Sequence, residues 1–170
     1  MEKNIPVLYK EKSECCGCGA CLNICPRNAI SMVEDECGFL YPEIDDNVCI
    51  RCKKCTLVCA FQNINENNKP LKTYAAVSKN KEQAVKSASG GVFAAIAKDF
   101  LNKGGIVFGA AFNEKKEVLH KSINKIEELY LLQGSKYVQS KIGNTYKEVK
   151  DLLIDGNKVL FSGTPCQVAG

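Results

Sequence analysis

Two copies of one cysteine run, displaced by 34 residues, constrain this chain more than any other feature of its sequence. The first copy, CCGCGACLNICP, holds Cys15, Cys18, Cys21 and Cys25 and ends in Pro26. The second, CIRCKKCTLVCA, holds Cys49, Cys52, Cys55 and Cys59 and ends in Ala60. Both read C-x2-C-x2-C-x3-C, the run that holds [4Fe–4S] clusters in bacterial ferredoxins. Equal displacement of every matched cysteine makes this an internal repeat.

The spacing has a physical reason. Each two-residue gap turns the chain around one corner of a cubane, so three thiolates on a tight loop reach three irons. Cys21 and Cys25 are i and i+4, on one face of a helical turn. The fourth cysteine projects away from the loop of the first three, and in a two-cluster arrangement it ligates the other cluster. Cluster I is therefore expected on Cys15, Cys18, Cys21 and Cys59, and cluster II on Cys49, Cys52, Cys55 and Cys25. The crossing staples together a segment too short to build a large apolar core.

Two other uses of cysteine fit less well. A zinc site takes four ligands, typically as two separated C-x2-C pairs, and needs no third cysteine at the same spacing twice. A disulfide framework belongs to secreted chains, and the N-terminal MEKNIPVLYK has no apolar stretch or cleavage site of a signal peptide. Eleven cysteines in this setting point to metal binding in a reducing, cytoplasmic compartment. Cys16 and Cys37 lie off the repeat and are expected to be non-ligating thiols. Ala60 stands where proline usually closes the run, which loosens the local turn without removing a ligand.

With 45% hydrophobic and 25% charged residues, the chain has the composition of one or two small globular domains. No apolar run is long enough for a transmembrane helix. The formal charge of +4 counts every cysteine as neutral. Each cluster with its thiolates adds roughly two negative charges, so the loaded protein is near neutral and nucleic-acid binding is not expected.

The fold class expected is α+β: a ferredoxin-like dicluster domain over 1–66, a linker over 67–72, and a partial α/β domain over 73–170. Strands are expected at Ile5 to Tyr9, Ile30 to Val33 and Phe39 to Ile44, the last two around a polar turn at Glu34 to Gly38. Phe39, Tyr41 and Ile44 either shield the clusters or simply form the hairpin core. The asparagine-rich stretch Gln62 to Lys72, broken by Pro70, reads as the connection. Residues 1–72 are nearly balanced in charge, and residues 73–170 are net basic.

In the second half, strands are expected at Tyr74 to Ser78, Ile106 to Phe112, Val118 to Ile123 and Val159 to Phe161. Helices are expected at Val92 to Lys103, Lys125 to Leu132 and Tyr146 to Ile154. Strands alternating with helices favour a mixed or parallel sheet covered by helices. Val92, Ile96 and Phe100, at i, i+4 and i+8, form an expected core-facing stripe. His120, the single histidine, is expected on the surface or in a strand, with nothing to pair it with Cys166.

Three loops have compositions suited to a ligand. SASGG (87–91), with Ser89, Gly90 and Gly91, opens a helix, either as a phosphate-receiving N-terminus or as a tight turn with an N-cap. GSKYVQS (134–140) offers Lys136, Tyr137 and Gln139 to a polar ligand. SGTPCQ (162–167) follows a strand and sets Gly163, Thr164 and Cys166 where α/β sheets tend to bind ligands. Cys166 is expected beside a cofactor or substrate, with simple packing as the alternative. There is no G-x-G-x-x-G and no G-x-x-x-x-G-K-[ST].

The stretches SASGGVFAAIA (87–97), GGIVFGAAF (104–112), GSKYVQS (134–140) and VLFSGTPCQVAG (159–170) resemble the N-terminal domain of the coenzyme F420 hydrogenase/dehydrogenase beta-subunit family. CCGCGAC and GFLYPEID match bacterial members that carry a two-cluster module in front of it. The resemblance implies an iron–sulfur flavoprotein that moves electrons between clusters and a reduced cofactor or redox partner protein, through FAD. It also implies a C-terminal domain beyond Gly170 that completes the flavin site. The expected function is an electron-transfer oxidoreductase module. The alternative is a ferredoxin-like carrier whose α/β half docks a partner enzyme.

Overall fold

The computed structural model describes residues 4–63 and 70–170; residues 67–69 of the expected linker lie outside them. The chain divides into two compact units, one of Met1–Asn67 with Thr164–Gly170, the other of Asn68–Gly163. The expectation of one continuous second domain over 73–170 thus differs from the grouping found, since Thr164–Gly170 belong with the cysteine-rich unit.

In the first unit, β1 (Ile30–Glu34) and β2 (Leu40–Ile44) form an antiparallel hairpin in register from Ile30↔Ile44 to Glu34↔Leu40. Asp35 builds the turn: its Oδ1 accepts N–H bonds from Cys37 at 3.0 Å and Phe39 at 2.9 Å. Gly38 supplies the left-handed φ of +80°. The Lys12 ammonium lies 2.9 Å from Asp35 Oδ2 and 5.2 Å from the centre of the Tyr41 ring. Tyr9 packs on the other aromatic partner available, with Tyr9 and Tyr41 ring centroids 5.7 Å apart.

The expected strand at Ile5 to Tyr9 does not form. Pro6 has no N–H to give a ladder, and the segment is tied instead by Gln62, whose Nε2 donates to Val7 O at 3.1 Å and Leu8 O at 2.7 Å. Two short helices, α1 (Ala20–Ile24) and α2 (Lys54–Leu57), follow the same positions of the two cysteine runs. In the C-terminal segment, Thr164 and Gln167 make a reciprocal capping box at the start of a further short helix, Pro165–Ala169, with Pro165 at its first turn.

The second unit holds helices α3 (Lys81–Val85), α4 (Val92–Asn102) and α5 (Thr145–Ile154); the C-terminal helix becomes α6. Its sheet comprises β3 (Ile106–Phe112), β4 (Val118–Ile123) and β5 (Val159–Phe161) in the order β4-β3-β5. The β3–β4 pair is antiparallel and the β3–β5 pair parallel, so the sheet is mixed. The expected helix over Lys125 to Leu132 is a 3-10 helix, Ile126–Leu131. Tyr74 to Ser78, expected as a strand, joins no ladder; Ser78 N–H donates to Gly90 O at 2.6 Å.

Of the core-facing stripe expected on α4, only Phe100 packs against the core. Val92 and Ile96 are 41% and 53% exposed, and Phe100 is only partly buried. Ala94, Ala97 and Leu101 face inward instead, against Val107, Ala111, Ile123, Leu129 and Leu132.

Candidate metal centre

The two cysteine loops repeat in backbone as well as in sequence. Gly17 and Arg51 occupy matched positions at φ +61° and +56°, and Gly19 and Lys53 do so at +76° and +61°. Gly19 and Lys53 then cap α1 and α2. The left-handed residues turn each loop so that backbone N–H groups face sulfur. Gly17 N–H donates to Cys15 Sγ at 3.5 Å, and Arg51 N–H to Cys49 Sγ at 3.4 Å. Ala29 N–H donates to Cys25 Sγ at 3.3 Å. Such bonds favour thiolate over thiol and tune a cluster held by the sulfur.

Cys15, Cys18, Cys21, Cys55 and Cys59 line one largely apolar cavity. Met32 and Pro42, from the two strands of the hairpin, close part of it together with Leu8. Sequence reasoning missed these shielding residues: of the two readings open for Phe39, Tyr41 and Ile44, shield or hairpin core, shielding of this cavity is not seen, since none of them lines it and Phe39 is 53% exposed. Met32 and Pro42 were findable only through register, since they face each other across the ladder.

Burial dominates the electrostatics. It raises the pKa of Cys15, Cys18 and Cys55, and neighbouring thiols add to the effect. Cys21 is pushed up to about 12, first by burial and then by Cys18 and Cys15. Thiolates gathered in so apolar a space need a cationic core, which deprotonates a coordinating thiol outright. Among the described residues, no three His, Cys, Asp or Glu side chains converge as they would on a single metal ion. A cubane is wider than one ion and takes its thiolates at separate corners, so the donor set suits the group.

The two loops differ in charge. The first run has no ionisable residue other than cysteine between Cys15 and Cys25, whereas the second presents Arg51, Lys53 and Lys54, all exposed. Cys37 is exposed in the hairpin turn, while the Cys16 side chain hydrogen-bonds that of Cys166. Cys166 was expected at a sheet edge; it sits on α6 in the cysteine-rich unit, with its sulfur 3.1 Å from Thr164 Oγ1.

Of the remaining ligand candidates, Gly90, Gly91 and Lys136 are engaged locally. Gly91 holds φ +74° as the α4 N-cap, without a side-chain cap, and a methyl added to Gly90 would overlap the Ala76 carbonyl oxygen. Ser89 is exposed. Lys136 Nζ donates to Gln133 O at 2.8 Å and Leu131 O at 3.2 Å, and burial lowers its pKa. It borders an open hollow with Phe112, Tyr130 and Gln133, which none of Ser89, Gly90 and Gly91 lines. Tyr137 is 93% exposed, Gln139 is half-buried, and Gly163 and Thr164 are exposed.

Of the two places expected for His120, surface or strand, the structure shows the second: it lies buried in β4. Its Nε2 is 3.0 Å from Ser162 O and its Nδ1 is 3.0 Å from Ser140 Oγ. The carbonyl can only accept, so Nε2 carries the proton and Nδ1 accepts from the serine hydroxyl. The ring stacks on Phe161 at 5.1 Å, and burial lowers its pKa.

Residues 14–63 match the family model of the 4Fe-4S dicluster domain. Over 56 residues the chain is 36% identical to Hydrogenase-4 component A of Escherichia coli (strain K12), a match covering 32% of this chain. It spans 25% of that protein, about a quarter of the relative's length. The cysteine-rich segment is an iron–sulfur domain of the ferredoxin-like kind, and its chemistry is electron transfer. Among the described residues, no helix is long and apolar enough to cross a membrane.

Proposed function

We propose that the chain is the iron–sulfur module of an oxidoreductase, holding cluster I on Cys15, Cys18, Cys21 and Cys59 and cluster II on Cys49, Cys52, Cys55 and Cys25. The observation that carries this is Cys59 lining the same cavity as Cys15, Cys18 and Cys21, although it ends the other run; Cys55, assigned to cluster II, borders that cavity as well. When bound, each cluster supplies one-electron transfer. The chain's own contribution is to hold thiolates with backbone N–H bonds and to exclude water with Leu8, Met32 and Pro42. By the family resemblance, the second half passes electrons to a flavin or F420-type two-electron site and onward to a partner. The relative's name places it in a hydrogenase, which agrees with a redox partner of that general kind.

A second reading for residues 73–170 is favoured by one set of observations. Lys136 is engaged with loop carbonyls, and Gly90 is filled against the neighbouring backbone. Both fit a domain that docks a partner enzyme without binding flavin. Anaerobic purification with iron, acid-labile sulfide and flavin assays separates the readings. Two clusters with flavin support the oxidoreductase module, two clusters without flavin support the docking domain, and zinc in place of iron and sulfide sinks both.

A further inference from the structure

We propose that Cys16 and Cys166 form a reversible dithiol–disulfide couple beside the first cysteine run, a two-electron site adjoining one-electron centres. The residues are 150 positions apart in sequence, yet both belong to the cysteine-rich unit and their side chains are in hydrogen-bond contact. Neither is needed by the C-x2-C-x2-C-x3-C runs, which supply four thiolates to each of two sites without them. Cys166 is also close enough to interact electrostatically with Cys15 and Cys18, so the pair abuts the first loop. Cys16 lines the cavity that those thiols share.

The surroundings hold the pair in place. Thr164 Oγ1 lies 3.1 Å from Cys166 Sγ, and the capping box with Gln167 fixes Thr164 in turn. Hydrogen-bond contact brings the two sulfurs together, the first requirement of a disulfide between residues so far apart in sequence. Both are partly exposed, which leaves them open to a small thiol.

Closing the couple forms one S–S bond, breaks two S–H bonds, and releases two electrons and two protons. Opening it takes the same number back, with the protons drawn from water. The electrons come from, or go to, the iron–sulfur centres of the same unit, one each; this clause rests on the function proposed above. A small dithiol exchanges with the same bond without those centres, by thiolate attack on sulfur.

The test uses the anaerobically purified, iron-loaded chain, equilibrated in glutathione buffers of graded oxidised-to-reduced ratio. Samples are acid-quenched, alkylated and read by peptide mass spectrometry, with iron and sulfide measured alongside. A Cys16–Cys166 linked peptide that rises and falls with the ratio at constant iron is the expected result. In a reductive titration, the oxidised parent should take two more electrons per chain than Cys16→Ser or Cys166→Ser, both with full iron content. Absence of the linked peptide at every ratio, or equal electron counts, would overturn the couple. So would loss of iron in Cys166→Ser, which would make that thiol a cluster ligand. A linked peptide in a chain that never binds iron would support the couple and sink the proposed function instead.

Discussion

Gly17 and Arg51 share one left-handed backbone conformation, and each donates its N–H to the cysteine sulfur two residues before it. The first copy fills this position with the residue that tolerates it, and the second with one that does not. An L-residue there costs roughly 1–2 kcal/mol. Gly17→Ala should therefore destabilise the iron-loaded protein by about 1 kcal/mol, while Arg51→Gly should stabilise it by up to about 1 kcal/mol. Cluster bleaching in anaerobic denaturant measures both. Shifts of the same sign would show that the two loops are not equivalent.

Crossed ligation predicts crossed damage. Cys59→Ala should remove the cluster on Cys15, Cys18 and Cys21, and Cys25→Ala the cluster on Cys49, Cys52 and Cys55. Paramagnetic resonance of the reduced variants, compared with a Cys18→Ala and a Cys52→Ala reference, identifies which signal is lost. If Cys59→Ala matches Cys52→Ala, each run keeps its own fourth ligand.

His120 makes stability pH-dependent. Its folded pKa is lowered by burial, so the unfolded chain takes up the proton first. The neutral ring's contribution is complete above the unfolded value of about 6.5 and is lost as pH falls through the lower folded value. It is the only histidine, so the decline between about pH 7 and 5.5 belongs to it rather than to the carboxylates. The protection factors of the His120 and Lys141 amides, both bonded across the β4 edge, should fall over that range once the intrinsic exchange rate at each pH is divided out. In His120→Phe the pH slope should vanish; an unchanged slope assigns it elsewhere.

The rotated face of α4 separates two leucine-sized substitutions. Leu101→Ala should cost about 2–5 kcal/mol because it empties a buried site. Ile96→Ala should change stability by less than about 1 kcal/mol, since the side chain is half exposed. Thermal unfolding followed by circular dichroism compares them, and equal losses would restore the stripe read from periodicity.

What was legible in the sequence was local. The repeat, the three strands of the second unit and the bounds of α4 and α5 follow from spacing and alternation over a few residues. What was not legible depends on partners far away. Ile5 to Tyr9 and Tyr74 to Ser78 have strand composition, but a strand exists only where another offers a ladder. The inward face of α4 is fixed by the residues it meets, with Ala94, Ala97 and Leu101 gathered against Val107, Ala111 and Ile123 from the sheet. Met32 and Pro42 reach the cavity through hairpin register, and the contact of Cys16 with Cys166 spans nearly the whole chain.

With clusters bound as proposed, the charge difference between the two loops is expected to set a direction for electron flow. Reduction adds negative charge to a cluster, and nearby cations favour that state. Arg51, Lys53 and Lys54 therefore raise the potential at the second run, while the uncharged first run leaves its own lower. An electron arriving at Cys15, Cys18 and Cys21 runs downhill toward Cys49, Cys52 and Cys55. High salt, by screening the exposed cations, flattens that slope.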